Sequence, residues 1–480
     1  MRSAVPASSD GGGALIELKE VSFQYEGGEE DALSDVSLQI GVGECVVLSG
    51  NSGCGKTTIT RLANGLIPDF YPGKLEGLVL INGEDVLGKE PHELCGFVGS
   101  VFQNPWTQFF NTDTDSELVF GMENCGVPCG EMHRRYEDTV KTLHLENLCK
   151  RDIFQLSGGE KQSIAFGSVY ALSPEIYVLD EPSANLDRRA IRRLRQVLLT
   201  LKRQGKTILI AEHRLYYLNG VADRIIRMEN GRIAEDVPAD RLLEKTVSEL
   251  HALGLRSLWD TDIAHTPAGC PVRMPSLEVR KLSVRRGKRP VLENVSFTVQ
   301  TGEILGITGR NGIGKTTLVR TVCGLMKEHS GQIYFHGSLA EASSRKHQVF
   351  LVMQDPNYQL FCESVESEMR LSLSGSAPDE DEIRELLDAL DLSGVRERHP
   401  LSLSGGQKQR LCIALAALSP AQLLLFDEPT SGLDYENMRR VSDILKNLAD
   451  QGKAIVVISH DHEFLAKACT QVISLEKEKR

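Results

Sequence analysis

Residues 50–58 read "GNSGCGKTT", and residues 309–317 read "GRNGIGKTT". Each follows an apolar run, "CVVLSG" (45–50) and "ILGITG" (304–309), and each precedes a helical pattern. A strand leading into G-x-x-x-x-G-K-T and then a helix is a phosphate-binding loop in its proper context. The glycines let the backbone curl until several N–H groups face one phosphate chain, and the helix N-terminus adds about half a positive charge. The candidate phosphate cradles are Gly50, Asn51, Ser52, Gly53, Cys54, Gly55, Lys56, Thr57 and Thr58, and Gly309, Arg310, Asn311, Gly312, Ile313, Gly314, Lys315, Thr316 and Thr317. Lys56 and Lys315 are expected to reach the β- and γ-phosphates. The hydroxyls of Thr57 and Thr316 are expected to bind Mg²⁺. A chance glycine-rich turn is tolerable once and implausible twice in matching contexts.

Working outward, the chain says everything twice. "QLSGGEKQ" (155–162) returns as "SLSGGQKQ" (402–409), and "VLDEPSANLD" (178–187) as "LFDEPTSGLD" (425–434). "AEHR" (211–214) returns as "SHDH" (459–462). Ser157 and Ser404, Asp180 and Asp427, and His213 and His460 are each 247 positions apart, whereas Gln103 and Gln354 differ by 251 and Lys56 and Lys315 by 259. The latter part of each unit is therefore constant, and the insertions and deletions precede it. Alternating apolar residues open each copy (Ile16, Leu18, Val21 and Phe23; Leu277, Val279 and Leu282), a pattern of edge strands. Buried strands with helices between them indicate an α/β fold with a mainly parallel sheet. We expect a tail over 1–14, a first domain over 15–237, a linker over 238–275 and a second domain over 276–480. "PADRLLEKTVSELHALG" reads as one amphipathic helix of that linker, and "TPAGCPVRMP" as its Pro/Gly part. "RIIRMENGRI" reads as a hairpin turning at Asn230-Gly231, which the second copy lacks.

Asp180 and Asp427 end apolar strands, where a carboxylate can hold Mg²⁺ through water. Glu181 and Glu428 follow directly, and adjacent carboxylates at a strand end are costly unless a cation sits there. Each Glu is the candidate to polarise an attacking water, and His213 or His460 to sense the γ-phosphate.

Composition narrows the setting. The net charge of −12 argues against a broad basic face for nucleic acid. Eleven cysteines, scattered and without a C-x-x-C pair, read as reduced thiols, which suits the cytoplasm. Cys125 and Cys129, the nearest pair, read as loop thiols rather than metal ligands. No segment approaches the roughly 18–20 apolar residues of a membrane helix, so any role at a membrane requires docking on another protein.

With "LSGGEKQ" and "LSGGQKQ" added to the loop, the Asp-Glu and the His, the chain resembles the ATP-binding cassette ATPases from about residue 15 to its end. The resemblance implies two nucleotide-binding domains, each a P-loop α/β core with an antiparallel β subdomain and a helical subdomain. It implies ATP and Mg²⁺ as ligands, and cassettes that close head to tail. One composite site would use Lys56, Thr57, Gln103, Asp180, Glu181 and His213 with Ser404, Gly405 and Gly406. The other would use Lys315, Thr316, Gln354, Asp427, Glu428 and His460 with Ser157, Gly158 and Gly159. Gln103 and Gln354 would link Mg²⁺ and water to the helical subdomain, and Asp187 and Asp434 would cross between sites. Family members stack an aromatic on adenine. Tyr25 fits, while Arg286 stands at the corresponding place in the second copy, leaving either an Arg stack or weaker adenine binding. Ser163 stands where the second copy has Arg410.

"QNPWTQFF" (103–110) and "QDPNYQLF" (354–361) resemble the Q-N-P-x-x-Q-[FIL]-F segment of energy-coupling factor transporters. That implies a peripheral ATPase on the cytoplasmic face of the cell membrane. Its partners would be a transmembrane T-component docked beside the Gln loops and an S-component capturing a vitamin or metal ion. Phe109, Phe110 and Phe361 could equally be subdomain core. Rival readings are a tandem ATPase acting on ribosomes and the fused ATPase of a sugar importer. A chromosome or repair ATPase needs a long insertion that the 101 positions from Lys56 to Ser157 exclude.

Overall fold

A computed structural model describes residues 14–28, 30–263, 275–287, 289–372 and 380–475. Nearly all of the expected tail, and the Pro/Gly part of the linker up to residue 274, lie outside the described residues. The chain forms two compact units, Met1–Ala184 with Ile191–Leu258, and Asn185–Ala190 with Trp259–Arg480.

In the first unit the opening strand, Ala14–Tyr25, alternates because one face packs on the core, with Ile16, Leu18, Val21 and Phe23 all buried. It is not an edge strand. It lies between Leu33–Gly41 and Gly73–Ile81 in a four-stranded antiparallel sheet that ends with Glu84–Asp85. Alternation reports one buried face, which an interior antiparallel strand can have as well as an edge strand. The second copy repeats this correction. There Pro275–Arg286 sits between Arg289–Gln300 and Ser330–Phe335.

The first unit's other sheet has six strands in the order Arg232–Pro238, Arg224–Glu229, Cys45–Gly50, Thr207–Ala211, Ile176–Asp180, Val98–Val101. All its pairs are parallel except the hairpin of the first two. That hairpin turns at Asn230 (φ 48°) and Gly231 (φ 74°), the left-handed pair a tight two-residue turn requires. Cys45–Gly50 and Thr207–Ala211 are buried along their whole length, as expected of parallel strands covered on both faces. The second unit has five parallel strands, Val349–Val352, Leu423–Asp427, Ala454–Ile458, Ile304–Thr308 and Gln471–Ser474.

The phosphate loops, the Asp-Glu pairs and the histidines all emerge at carboxyl ends of parallel strands, where α/β folds place ligands. A separate helical layer holds Thr114–Asn124, Cys129–Thr142 and Gly158–Leu172 around Leu118, Leu145, Leu148, Leu156 and Ile164.

The helix expected after Asp236 is two, Ala239–Leu243 and Val247–Ala252. Thr246 breaks it, because its hydroxyl and Glu249 form a reciprocal capping box that starts a new helix. Leu242, Leu250, Leu255 and Leu258 are buried, so these residues pack with the first unit. Among the described residues, no helix is long and apolar enough to cross a membrane.

Candidate nucleotide sites

Each phosphate loop passes from a buried strand into an eight-residue helix, Lys56–Ala63 or Lys315–Val322, capped by a left-handed glycine (Gly55, φ 100°; Gly314, φ 113°). Gly50 has no alternative residue. A Cβ there would lie 2.2 Å from the Met228 carbonyl oxygen. Lys56 Nζ closes its loop by donating to the carbonyls of Gly50 (3.0 Å) and Asn51 (2.8 Å). Lys315 Nζ does the same with Gly309 (2.8 Å) and Arg310 (3.2 Å), and also lies 2.9 Å from His460 Nε2. The ammonium groups thus sit at the mouths of the cradles, and burial pushes the Lys315 pKa down.

The metal-binding expectation fits these residues. Thr57 Oγ1 donates to Asp180 Oδ1 (3.2 Å), and Thr316 Oγ1 to Asp427 Oδ2 (2.7 Å). Burial, reinforced by Glu181, raises Asp180 to about 7. Burial raises Asp427 to about 6, against the Thr316 hydroxyl and with Glu428 adding to the rise. Carboxylates this unfavourable when charged suit a bound divalent cation.

Glu181 and Glu428 face their histidines. His213 Nε2 lies 3.5 Å from Glu181 Oε1, and His460 Nε2 3.5 Å from Glu428 Oε1. Gln103 Nε2 donates to Glu181 Oε2 at 2.6 Å. Gln354 borders a cleft of about 150 Å³ with Thr316 and Asp427, and Gln103 a cleft of about 180 Å³ with Thr57 and Asp180. Both glutamates have left-handed backbones, φ 44° at Glu181 and 54° at Glu428. Their N–H groups donate to Ala211 O (2.8 Å) and Ile458 O (2.9 Å) on the neighbouring strands.

Ser157 and Ser404 are the N-caps of Gly158–Leu172 and Gly405–Leu418, in capping boxes with Glu160 and Gln407. Gly158, Gly159, Gly405 and Gly406 form the first turns, so each motif presents free helix-end N–H groups. In the second unit Asp187 Oδ2 accepts from the Asn311 N–H (2.8 Å), and Asn311 Oδ1 lies 2.7 Å from His460 Nε2. Asp434 is a buried N-cap bonded to the Asn437 N–H at 2.7 Å.

Tyr25 lies against the phosphate-loop helix, its hydroxyl 3.1 Å from Thr58 Oγ1 and accepting from Arg61 at 2.9 Å. Arg286 pairs with Arg289 at the exposed end of its hairpin. Ser163 bonds to the Gly159 carbonyl, whereas Arg410 is buried and donates to Leu390 O (2.7 Å).

Around the Gln loops the aromatics divide. Phe109 packs on the helical core, whereas Phe110 is 74% and Phe361 77% exposed. The sequence reading missed what holds these turns. Gln108 joins the strand Val98–Val101 to the signature helix, donating to Ser100 O and Ala165 O, both at 3.3 Å. Gln359 bonds to the backbone of Leu351 and Met353. Buried Glu117 accepts from the N–H groups of Phe110 (3.1 Å) and Asn111 (2.9 Å), and buried Glu368 from those of Phe361 and Cys362. The signal was present, since Glu117 and Glu368 share the 251-residue offset of the Gln pair. Buried Glu212 anchors the His213 turn through the His213 and Arg214 N–H groups and the Tyr217 hydroxyl. Among the described residues no cluster of three metal-ligating side chains occurs. Cys125 pairs instead with Cys95, Sγ to Sγ 3.6 Å.

The sequence model of the ABC transporter family matches residues 33–184 and 292–431. The chain belongs to that family. It carries two ABC ATPase domains, which bind and hydrolyse ATP, generally with Mg²⁺. A putative ABC transporter ATP-binding protein of Treponema denticola is 48% identical over 96% of this chain and 95% of its own. A putative HMP/thiamine import ATP-binding protein of Bacillus subtilis is 30% identical over 96% of this chain and 90% of its own. Among solved structures, an archaeal ribosome recycling factor in complex with a ribosomal stalk protein is similar, at 26% identity and a TM-score of 0.62. The match covers 93% of this chain and 85% of that one.

Proposed function

We propose that this chain is the ATPase subunit of a membrane importer of the energy-coupling factor kind, taking up a vitamin or metal ion. One observation carries this reading: both cassettes expose large side chains beside the Gln loop. Trp106, Phe110 and Phe154 are 44%, 74% and 64% exposed in the first, and Tyr358, Phe361 and Leu401 are 70%, 77% and 55% exposed in the second. Exposed apolar side chains in the same loop of both copies support docking of another protein there. The import role in the name of the Bacillus subtilis relative supports the same reading. The T-component would dock there, an S-component would hold the cargo, and the chain would sit peripherally on the cytoplasmic face.

In this reading Tyr25 bears the adenine of the first site. Backbone N–H groups of the loops, with Lys56 and Lys315, hold the phosphates. Thr57 with Asp180, and Thr316 with Asp427, hold Mg²⁺, which neutralises phosphate charge when bound. Glu181 and Glu428 orient the attacking water, with Gln103, His213 and His460 fixing the carboxylates. Ser157 and Ser404 with their glycines cap the nucleotide held by the opposite cassette. Catalysis is positioning and charge neutralisation. ATP favours closure only by the contacts it gains in the closed state.

The likeness to a ribosome recycling factor supports a second reading, action on ribosomes. Purification of the tagged chain from its native membranes distinguishes the two. A stoichiometric integral membrane polypeptide, lost with Phe110→Glu and Phe361→Glu, supports import. Ribosomal RNA in its place supports the second reading. Turnover should fall at least about a hundredfold in Glu181→Gln plus Glu428→Gln, in the range of lost general-base catalysis.

A further inference from the structure

We propose that Lys161 and Lys408 are positioning residues that tie each Gln-loop turn to its Ser-Gly-Gly. Lys161 lies four residues after Ser157 in the signature helix, and its Nζ sits 3.8 Å from the centroid of the Trp106 ring. The side chain is buried, at 8% exposure. An ammonium withdrawn from water gains from an aromatic face. Lys408 holds the same place after Ser404, and its Nζ donates to Asn357 Oδ1 at 3.0 Å. Trp106 and Asn357 are each the third residue after the loop glutamine. The two copies therefore build one bridge with two chemistries, a cation on a ring and a hydrogen bond to an amide. What the duplication has kept is the contact rather than the partner.

The bridge is well placed to carry displacement. It starts on the short turns Pro105–Thr107 and Pro356–Tyr358, whose ends are fixed by Asn104 and Asp355 caps. It lands about 6 Å along the helix from the capping serine, one turn from the N–H groups that would meet nucleotide. A packed helix moves as a body, so a shift of the turn reaches the Ser-Gly-Gly instead of dissipating. In the first copy Gln108 adds a second link to the same helix at Ala165, whereas in the second copy Gln359 bonds to its strand. The second copy therefore relies more heavily on its lysine.

The inference rests on the assignment of Ser157 and Ser404 to nucleotide and is independent of transport, so the full-length chain with Mg-ATP alone tests it. Trp259→Phe leaves Trp106 as the one tryptophan of the two in the chain. In that background Mg-ATP should shift the Trp106 emission. Lys161→Met should shrink the shift at least about threefold, and Lys161→Arg, which keeps a cation on the ring, should restore it. Lys408→Met should lower kcat about three- to tenfold, with KM for ATP held within about twofold and rescue by Lys408→Arg. Melting temperatures should stay near those of the parents. An unchanged shift in Lys161→Met, no shift in its parent, or kcat retained in Lys408→Met overturns the proposal. So does a loss that follows melting temperature and resists the arginine. Should Trp259→Phe fail to fold, the kcat-against-KM split of Lys161→Met in the native chain decides by the same criteria. A failure of the ATPase assignment would appear separately, as unaltered turnover in Glu181→Gln plus Glu428→Gln.

Discussion

Glu181 and Glu428 each hold a backbone conformation that costs a residue with a Cβ on the order of 1 kcal/mol. The cost is sustained because the N–H is bonded to the adjacent strand, which turns the carboxylate toward the histidine. Two substitutions separate the backbone from the carboxylate. Glu181→Ala and Glu181→Gly should lower turnover equally, but the glycine variant should unfold about 1 kcal/mol later in denaturant titration. Asp180 gives a pH-dependent prediction. Its folded pKa of about 7 lies above the ordinary carboxylate value, so its contribution favours the fold at low pH and is lost as pH rises through about 7. Without nucleotide, Asp180→Asn should therefore gain roughly 1–3 kcal/mol over the parent at pH 8 and far less at pH 5, read by thermal melts. The residue types at both positions were legible because the motif repeats. The left-handed backbone was not, since nothing in "DEP" announces a positive φ at a glutamate.

At the scale of elements, the signature motif is also a helix start. Ser404 and Gln407 satisfy each other's backbone N–H, so Ser404→Ala should cost about 1 kcal/mol before any effect on ATP. Ser404→Asp keeps a cap but sets a negative charge where phosphate is to be met. It should melt near the parent temperature while turnover falls, which separates the two duties. Buried Glu368 holds the Phe361 turn. Glu368→Gln offers a weaker acceptor and should cost about 1–3 kcal/mol, measured by denaturant midpoint. Strands, loops and their order were readable from apolar runs and glycine placement. Whether Ala14–Tyr25 was interior or edge was not, because alternation shows burial of one face and says nothing about neighbours. The break at Thr246 was readable in T-V-S-E but masked by the apolar spacing running across it. The roles of Gln108 and Glu117 rest on bonds to backbone atoms that no local residue pattern announces, among them the Ala165 carbonyl 57 positions from Gln108, and only the offset between copies could have marked them.

Across the whole molecule, duplication gives two sets of catalytic side chains on sheets that differ at one end. Among the described residues, only the first carries the antiparallel hairpin strand Arg232–Pro238. Two binding sites that favour the folded chain should each add to stability. In the hydrolysis-deficient Glu181→Gln plus Glu428→Gln chain, Mg-ATP at about 100 Kd should stabilise by about 2.7 kcal/mol per occupied site. Lys56→Ala should remove one increment, seen as a smaller melting shift with the same ligand. If the two halves were self-sufficient, residues 1–258 and 259–480 expressed apart would each match the parent turnover. If each site is shared between cassettes, as proposed, either half alone should keep only a small fraction of it.

The sulfurs of Cys95 and Cys125 have a consequence at the bench. Cys95 lies between the short helix Pro91–Leu94 and the strand Val98–Val101, and Cys125 closes the helix Thr114–Asn124, so a covalent link between them would staple the helical layer to the segment leading into that strand. Preparations stored in air should accumulate a form two hydrogens lighter, visible by intact mass and reversed by a reducing agent. Cys125→Ser should never show it, and the age of a sample would otherwise pass for a property of the enzyme.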